Sequence, residues 1–303
     1  MAEAVDPPFN RPDAGFNDLP GWTWVGCYGG YYLQADLLQA FEHGFFTRQW
    51  QGRGPEELAG YVSAGVSVHR PQQVHSATVL QASAASAAPW PEADGLVGDA
   101  GGQSLWVCGA DCTPVLLADP ASGRVAACHA GWRGVAGGIL LEAIRLLEQA
   151  GSRRGDLLVA LGPAVSGANY QVETAVAEQV ARSLPLSGSV ATSAAPAAAV
   201  SAALPSASAS ASEEDEDGRA QHAALAELER CGALLPDSEP GRHRLDIRAA
   251  TRRQLELAGI ASDRIAVCPL CTVAEPLLFH SWRRDQVKAV QWSGIVSQQA
   301  GIS

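Results

Sequence analysis

Two histidines and a cysteine, His75, Cys112 and His129, are the residues whose types best match a metal site. Each stands beside a short apolar run of the kind that forms a buried strand. A thiolate and two imidazoles suit zinc, and three protein ligands leave a fourth position open for water or substrate. The spacing matches no compact zinc-finger pattern, so structural cysteine and histidines remain an alternative on the residues alone.

A glycine-rich segment follows His129 and precedes a helical pattern; its glycines are Gly131, Gly134, Gly137 and Gly138. Exposed backbone N–H groups in such a segment can bind an anion, and Arg133 adds a guanidinium suited to phosphate or carboxylate. The segment has neither the G-x-G-x-x-G pattern nor a Walker lysine. A tight turn that packs Trp132 into the core explains it equally well.

Two adjacent arginines, Arg283 and Arg284, follow an apolar run near the C-terminus. Neighbours at the end of a strand point to opposite faces, so at most one of them is expected to enter a given pocket. The other would then pair with Asp285. A structural salt bridge is the simpler interpretation of these residues alone.

The elements that must position these side chains alternate irregularly along the chain. This order favours one α+β domain of mixed β-sheets with flanking helices, with a core over about residues 22–296, rather than a doubly wound parallel fold. Helices are predicted at 139–149, 174–182, 220–231 and 246–258, the last capped by Asp246 and ended by Gly259. Strands are predicted at 104–110, 114–118, 124–128, 156–161, 265–269 and 277–280.

Residues 183–218 differ from the rest of the chain in composition. They are rich in alanine, serine and proline and close with an acidic run at 213–217. Without aromatic residues and with few bulky apolar side chains, such a segment cannot offset its own ordering entropy. The sequence therefore predicts a disordered, solvated insertion in the single domain.

The overall charge excludes several functions. The chain has 303 residues and a formal net charge of −11, so it has no general attraction to nucleic acid or anionic membranes. Lys288 is the single lysine, which excludes phosphate loops that depend on a lysine.

Seven scattered cysteines indicate reduced thiols in a reducing compartment. The acidic N-terminal segment lacks secretory features, which predicts a cytoplasmic protein, or an organellar one if a transit peptide was removed.

The order of motifs along the chain resembles one known family. The motifs are His43 to Arg48, Gln73 to His75, Ala93 to Gly95, Ala110 to Pro114, His129 to Gly134, Leu161 to Pro163, Tyr170 to Val172, Asp246 with Ile247, Cys271 with Thr272, and Ser281 to Asp285. Together they resemble the zinc-dependent purine nucleoside phosphorylases, long labelled multicopper polyphenol oxidases or laccase-domain proteins. Residues 49–71 are shorter than and different from the usual family segment, and Trp282 stands where a tyrosine is usual.

This resemblance implies one zinc ion held by His75, Cys112 and His129. It implies phosphorolysis of adenosine, inosine, guanosine and 5′-methylthioadenosine, with deamination of adenosine as a second activity. The partners would be purine nucleosides and phosphate, while the oligomeric state stays open. The expected catalytic residues are Cys112, Arg133 and Arg284. The expected substrate-binding residues are Arg133, Gly134, Arg283 and Arg284.

Two other enzyme classes remain as alternatives. A hydrolase or editing factor for peptidoglycan precursors would use Cys112 as nucleophile and His129 as base. A copper polyphenol oxidase would need many histidine ligands, but the chain has seven dispersed histidines. A non-enzymatic scaffold would leave the matched motifs without explanation.

Overall fold

A computed structural model describes residues 19–27, 30–184 and 211–298, and these contain fifteen strands and seven α-helices. The strands are β1 (Trp22–Cys27), β2 (Gly30–Ala35), β3 (His43–Phe46), β4 (Ser67–His69), β5 (Val79–Gln81), β6 (Gly95–Val97), β7 (Gln103–Gly109), β8 (Thr113–Ala118), β9 (Val125–Ala130), β10 (Leu158–Leu161), β11 (Gln171–Glu173), β12 (Leu234–Pro236), β13 (Arg242–Leu245), β14 (Ile265–Val267) and β15 (Gln291–Val296). The helices are α1 (Pro55–Val62), α2 (Trp132–Ala136), α3 (Ile139–Gln149), α4 (Thr174–Arg182), α5 (Ala211–Arg230), α6 (Ile247–Leu257) and α7 (Trp282–Asp285).

The strands form three sheets. The first has six strands in the order β1-β2-β3-β15-β7-β4, antiparallel except for the β4–β7 pair. The second also has six strands, in the order β14-β10-β8-β9-β6-β5, with parallel pairs at its two edges. The third is the small antiparallel sheet β11-β13-β12. These mixed sheets with outer helices confirm the predicted single-domain α+β fold.

The second sheet is buried on both faces, and strand β8 shows why. Successive side chains of a strand point to opposite faces. Val115 and Leu117 pack into the cluster that contains the apolar sides of α3, α4 and α6. Leu116 and Ala118 pack into the cluster between the two large sheets. Because β8 is apolar on both faces, its ends are held firmly, and the loops that leave them are well placed to carry a site.

Several predicted helices occur as expected. The helices α3 and α4 have the bounds predicted from sequence. Helix α6 begins after Asp246, whose Oδ1 accepts hydrogen bonds from the backbone N–H groups of Arg248 and Ala249, both at 3.0 Å. Gly259 follows with a φ of +97°, a conformation that glycine adopts without strain. Here the N-cap and the C-terminal glycine set the helix limits, as predicted.

The strand predicted at 277–280 is wrong. The backbone N–H groups of Leu278 and Phe279 both donate to the carbonyl of Glu275, which closes a tight turn instead of pairing with a neighbouring strand. Leu277 is 75% exposed while Leu278 and Phe279 are both buried, so the alternation of a half-buried strand is absent. The two arginines that follow therefore lie on the short helix α7, capped by Ser281, and not at a strand end.

Of the insertion predicted at 183–218, the two margins at 183–184 and 211–218 lie within the described ranges. Residues 185–210 lie outside the described ranges. Leu184 is buried in the core, and residues 211–218 are the first two turns of α5, so the loop prediction is wrong at both margins. No helix in the described ranges has both the length and the apolar character needed to cross a membrane.

Candidate metal centre and substrate pocket

Three loops and strand ends bring the candidate ligands together. Cys112 lies in the connection between β7 and β8, and His129 lies near the end of β9. The antiparallel register pairs Pro114 with His129, so the residues just before Pro114 lie beside the end of β9. His75 precedes β5 and has a φ of +60°, in the left-handed region. Cys112 and His129 are thus brought together by the pairing of β8 with β9, and not by proximity in the sequence.

The ligand atoms of His75, Cys112 and His129 all lie within 4.8 Å of one another. The two imidazoles meet edge to face, with ring centroids 4.9 Å apart and an interplanar angle of 78°. Gly131 is needed beside them, because a Cβ at that position would lie 2.9 Å from the Cys112 Sγ. The structure thus brings the three predicted ligands into one group.

Asp94 anchors two of these ligands and is completely buried. Its Oδ1 lies 2.9 Å from Nδ1 of His129 and accepts the backbone N–H of His75 at 3.0 Å. Its Oδ2 accepts the N–H groups of Val74 and Ser76 and the Ser76 hydroxyl. With Nδ1 of His129 held by the carboxylate, Nε2 is left as the ligand atom, an arrangement typical of metal-binding histidines.

The electrostatics of the group favour a thiolate. Burial opposes ionisation of Cys112, but hydrogen bonds to His129 and His75 outweigh it and lower the pKa of the thiol to about 6. Burial also opposes the charge on His129, yet Asp94 and Cys112 raise its pKa to about 9. At Cys108, by contrast, burial raises the thiol pKa to about 12. Cys112 is therefore the more readily ionised of these two thiols.

These donors fit zinc on their chemistry. Thiolate sulfur and imidazole nitrogen are ligand types that zinc prefers, and the Asp94 carboxylate orients one imidazole through its other ring nitrogen. In the described part of the chain this is the one group of three or more His, Cys, Asp or Glu side chains whose ligand atoms converge in this way.

His75 and Cys112 are among the residues that line a pocket of about 490 Å³. Ligand-binding pockets of proteins commonly have volumes of roughly 300–1,000 Å³. The other lining residues are Ala110, Asp111, Gly131, Trp132, Arg133, Val165, Tyr170, Ile247, Trp282, Arg283 and Lys288. The pocket therefore combines the candidate metal ligands with aromatic and cationic side chains.

The arginines of the pocket lie over aromatic rings. The guanidinium carbon of Arg133 is 4.4 Å from the Trp132 ring centroid, and that of Arg283 is 4.6 Å from the Tyr170 ring centroid. Arg283 also donates to the carbonyl of Gln171 at 3.1 Å. Among the described residues, neither arginine forms an ion pair with a carboxylate. Both guanidinium groups are thus available to an anionic ligand.

Two residues predicted to bind substrate are placed elsewhere. Arg284 donates to the backbone carbonyls of Thr272, Val273 and Phe279 and pairs with Asp285, and it does not line the pocket. Its guanidinium fastens the turn before α7. Gly134 is buried in α2, where a Cβ would lie 3.2 Å from the Ser76 carbonyl, so the site requires a small residue for packing.

Asp111, which the sequence analysis contains only within the motif Ala110 to Pro114, has a structural role in the site. Oδ1 of Asp111 accepts the Thr272 hydroxyl at 2.6 Å, and Oδ2 accepts the backbone N–H of Arg283 at 2.7 Å. Its carbonyl accepts the N–H of Val165. Asp111 has a φ of +92°, which only a few non-glycine residues adopt. This side chain ties the loop of Cys112 to the helix that carries Arg283, although no local pattern in the sequence reveals it.

The fold and site together define an α+β protein in which a His-Cys-His group opens into an aromatic and cationic pocket. A family model described as multi-copper polyphenol oxidoreductase laccase matches residues 56–207 and 189–297. The chain belongs to this family.

Curated relatives carry a different name from the family model. A protein of Synechocystis sp. named purine nucleoside phosphorylase is 38% identical over 282 residues, which cover 91% of this chain and 97% of the relative. Purine nucleoside phosphorylase YlmD of Bacillus subtilis is 31% identical over 185 residues, 61% of this chain and 51% of that protein. The crystal structure of YlmD from Geobacillus stearothermophilus has a TM-score of 0.68 at 23% identity, covering 91% of this chain and 98% of that one, and it supports the fold.

Proposed function

We propose that this protein is a zinc-dependent purine nucleoside phosphorylase. Its substrates would be adenosine, inosine, guanosine and 5′-methylthioadenosine, cleaved by phosphate to the free base and the sugar 1-phosphate. The observation that carries the proposal is a pocket that combines two members of the His-Cys-His group, His75 and Cys112, with two arginines that have no carboxylate partner among the described residues and with aromatic side chains. The names of the similar proteins support the same reaction.

Arg133 and Arg283 are the residues that would bind phosphate. A guanidinium presents a planar set of N–H donors that matches the oxygens of phosphate. Lys288 lines the same pocket and adds a third positive charge to a chain whose net charge is −11. Since the overall charge repels anions, this local cluster marks the place where an anionic substrate is attracted.

The base and sugar would contact the apolar part of the pocket. Trp132 and Tyr170 present aromatic surface, while Val165 and Ile247 add aliphatic surface. A flat heteroaromatic base stacks favourably on such side chains. Trp282 is 52% exposed and lies at the pocket as well, so its indole is free to cover a bound base.

The chemical step joins a phosphate oxygen to C1′ of the sugar and breaks the bond from C1′ to the base nitrogen. Arg133 and Arg283 would hold phosphate in line with that bond and balance its charge. Positioning and electrostatic stabilisation then carry most of the barrier lowering.

His75, Cys112 and His129 would hold the zinc ion, with Asp94 orienting His129. Zinc with three protein ligands supplies Lewis acidity at its open position, and the proposed second activity, adenosine deamination, depends on that property. The role of the chain's own residues in both reactions is to bind the nucleoside so that its reacting atom faces the His-Cys-His group.

The decisive test is turnover of inosine and adenosine by purified protein, with and without phosphate, while zinc is measured by mass spectrometry. Phosphate-dependent hypoxanthine release at about one zinc per chain is expected. Replacing Cys112 by alanine should abolish metal binding and both activities. Cys231→Ala is the matched control, since that thiol lies at the end of α5, outside the pocket. Full activity of a metal-free Cys112→Ala protein would refute the proposal.

One observation favours a second candidate, a cysteine hydrolase acting on peptidoglycan precursors. Asp94, His129 and Cys112 are arranged in the order of a catalytic triad, with the carboxylate on Nδ1 of the imidazole. Tightly bound zinc would count against it, because a ligated thiolate is a poor nucleophile. Zinc-free protein that releases amino acids from muropeptides would establish this candidate instead.

The hypothesis that the protein is a copper oxidase has less support. Several copper ions require several ligand groups, whereas the described residues contain one converging group. The remaining described histidines include His43 and His69, which bond to backbone groups inside the fold. Expression in copper-rich medium followed by metal analysis separates the two metals directly.

A further inference from the structure

The leaving purine must gain a proton, because departure from C1′ leaves an electron pair on the base nitrogen. A group in the pocket that still carries a proton at neutral pH can supply it and stabilise the transition state. This question rests on the proposed function. The pocket-lining side chains that titrate are few, so their hydrogen bonds narrow the choice.

Asp111, the one carboxylate among the pocket-lining residues, is not available. Its two oxygens accept hydrogen bonds from Thr272 and from the backbone of Arg283, so the side chain is held by protein groups and is not turned towards a ligand. His75 and Cys112 are committed as candidate metal ligands. Arg133 and Arg283 are assigned to phosphate, and Lys288 belongs to the same group of pocket cations.

Tyr170 is the neutral donor that remains. Its ring lies against Arg283 and lines the pocket, and it precedes β11 on a separate element from the metal ligands. Its hydroxyl makes no hydrogen bond to any described residue. The hydroxyl oxygen is also accessible to solvent. A phenol that lacks a protein acceptor and reaches an open pocket is free to donate to a ligand.

The surroundings of Tyr170 keep it protonated. Burial, followed by the nearby Cys112, raises the pKa of Tyr170 to about 12, although Arg283 and Arg133 act in the opposite direction. Tyr170 lines the same pocket as Cys112 and as both arginines that would hold phosphate. The bond to be broken would lie between these groups.

We propose that Tyr170 is a catalytic residue that protonates the leaving purine through its hydroxyl. As the phosphate oxygen bonds to C1′, the C1′–N9 pair moves to the base and the phenol proton is transferred to a base nitrogen. Hydrogenphosphate loses its own proton on becoming the sugar ester, and that proton returns to the phenolate through solvent. Atoms and charge therefore balance without any further reagent.

The test compares two nucleosides in Tyr170→Phe. Guanosine needs a proton on its base to leave, whereas 7-methylguanosine carries a cationic base that leaves as a neutral one. Under single-turnover conditions with phosphate, cleavage of guanosine should slow by about 100-fold or more, and cleavage of 7-methylguanosine by less than about fivefold. The substitution removes one hydroxyl without a protein partner, so folding and zinc content should match wild type.

Tyr61→Phe is the matched control, since its hydroxyl bonds to Arg53 outside the pocket and neither rate should change. Equal slowing of both nucleosides in Tyr170→Phe, or no slowing of guanosine, would overturn the proton-donor role while the phosphorylase proposal stands. If wild-type zinc-loaded protein cleaves neither nucleoside, the proposed function fails first, and the role of Tyr170 falls with it. Wild-type rates separate these failures.

Discussion

The two sides of the pocket are built in opposite ways. We call the side formed by His75 and Cys112, with His129 and Asp94 behind them, the floor, and the side formed by Trp282 and Arg283 the wall. On the floor, the buried Asp94 carboxylate accepts from three backbone N–H groups, a hydroxyl and an imidazole, and so holds His75 and His129 in one arrangement. On the wall, the Arg283 guanidinium makes one hydrogen bond to the described part of the chain, and Trp282 is half exposed. The side chains that would hold a metal are therefore fixed by several hydrogen bonds, whereas the side chains that would contact substrate are fixed by few.

This difference separates two kinds of effect. Changes on the floor should alter metal affinity and stability, because several hydrogen bonds converge on each side chain. Changes on the wall should alter substrate affinity and rate with the metal retained. Asp111 joins the two regions, since it directly precedes Cys112 in the chain and binds the backbone of Arg283.

The largest effect is expected from Asp94→Asn. An amide in place of the carboxylate puts N–H donors opposite the N–H groups that Asp94 now accepts, and it releases Nδ1 of His129. Zinc affinity should fall by about 10- to 100-fold, measured by competition with a chromogenic chelator. Asp99→Asn is the control, because Asp99 also accepts from serine and glutamine groups but contacts no candidate ligand.

The same carboxylate predicts an acid dependence of the metal-free protein. Burial acts to raise the pKa of Asp94, but hydrogen bonds from His129 and Ser76 prevail and lower it from 3.8 to about 2. A depressed carboxyl pKa contributes stability above the unfolded value, and this contribution is lost as the pH falls from about 4 towards 2. An Asp94→Asn protein whose zinc affinity and acid stability equal those of wild type would remove the distinction between floor and wall.

A smaller effect is expected from Asp111→Asn, which tests the link between the regions. Asparagine tolerates a positive φ, so the backbone is not newly strained, but one of the two accepting oxygens is lost. Displacement of α7 should lower kcat/KM by about 20-fold with zinc content unchanged. Asp285→Asn, on the same helix, removes only a partly exposed pair with Arg284 and should change kcat/KM by less than about threefold. Loss of zinc in Asp111→Asn would place this residue on the floor instead.

The sequence predicted the periodic elements better than the loops. Helices α3 and α4 were predictable because an apolar stripe and a stop signal are local properties. The turn at 275–279 was not, since a short apolar run does not reveal whether a neighbouring strand exists to pair with it. Likewise, the first residues of α5 are acidic and resemble a solvated loop in composition. Composition alone does not predict whether such a segment forms a helix.

The candidate site shows the same limit. His75, Cys112 and His129 could be named from their types and from the family resemblance, and the structure brings them together. Asp94 was visible only as part of a motif, without a role. The hydrogen bonds of Asp111 to Thr272 and Arg283 span more than 150 positions, and its left-handed backbone has no sequence signature. Such long-range partners depend on the finished fold.

The smallest of these effects distinguishes the two neighbouring arginines of α7. Arg283→Gln removes a pocket guanidinium and should raise KM for phosphate by about tenfold with little change in melting temperature, because its hydrogen bond to Gln171 is exposed. Arg284→Gln removes donors to three carbonyls and should lower the melting temperature while KM for phosphate changes less. Phosphate titration at saturating inosine and thermal unfolding of both variants measure the two quantities. The reverse pattern would mean that Arg284, and not Arg283, meets phosphate, and that the turn before α7 rearranges when substrate binds.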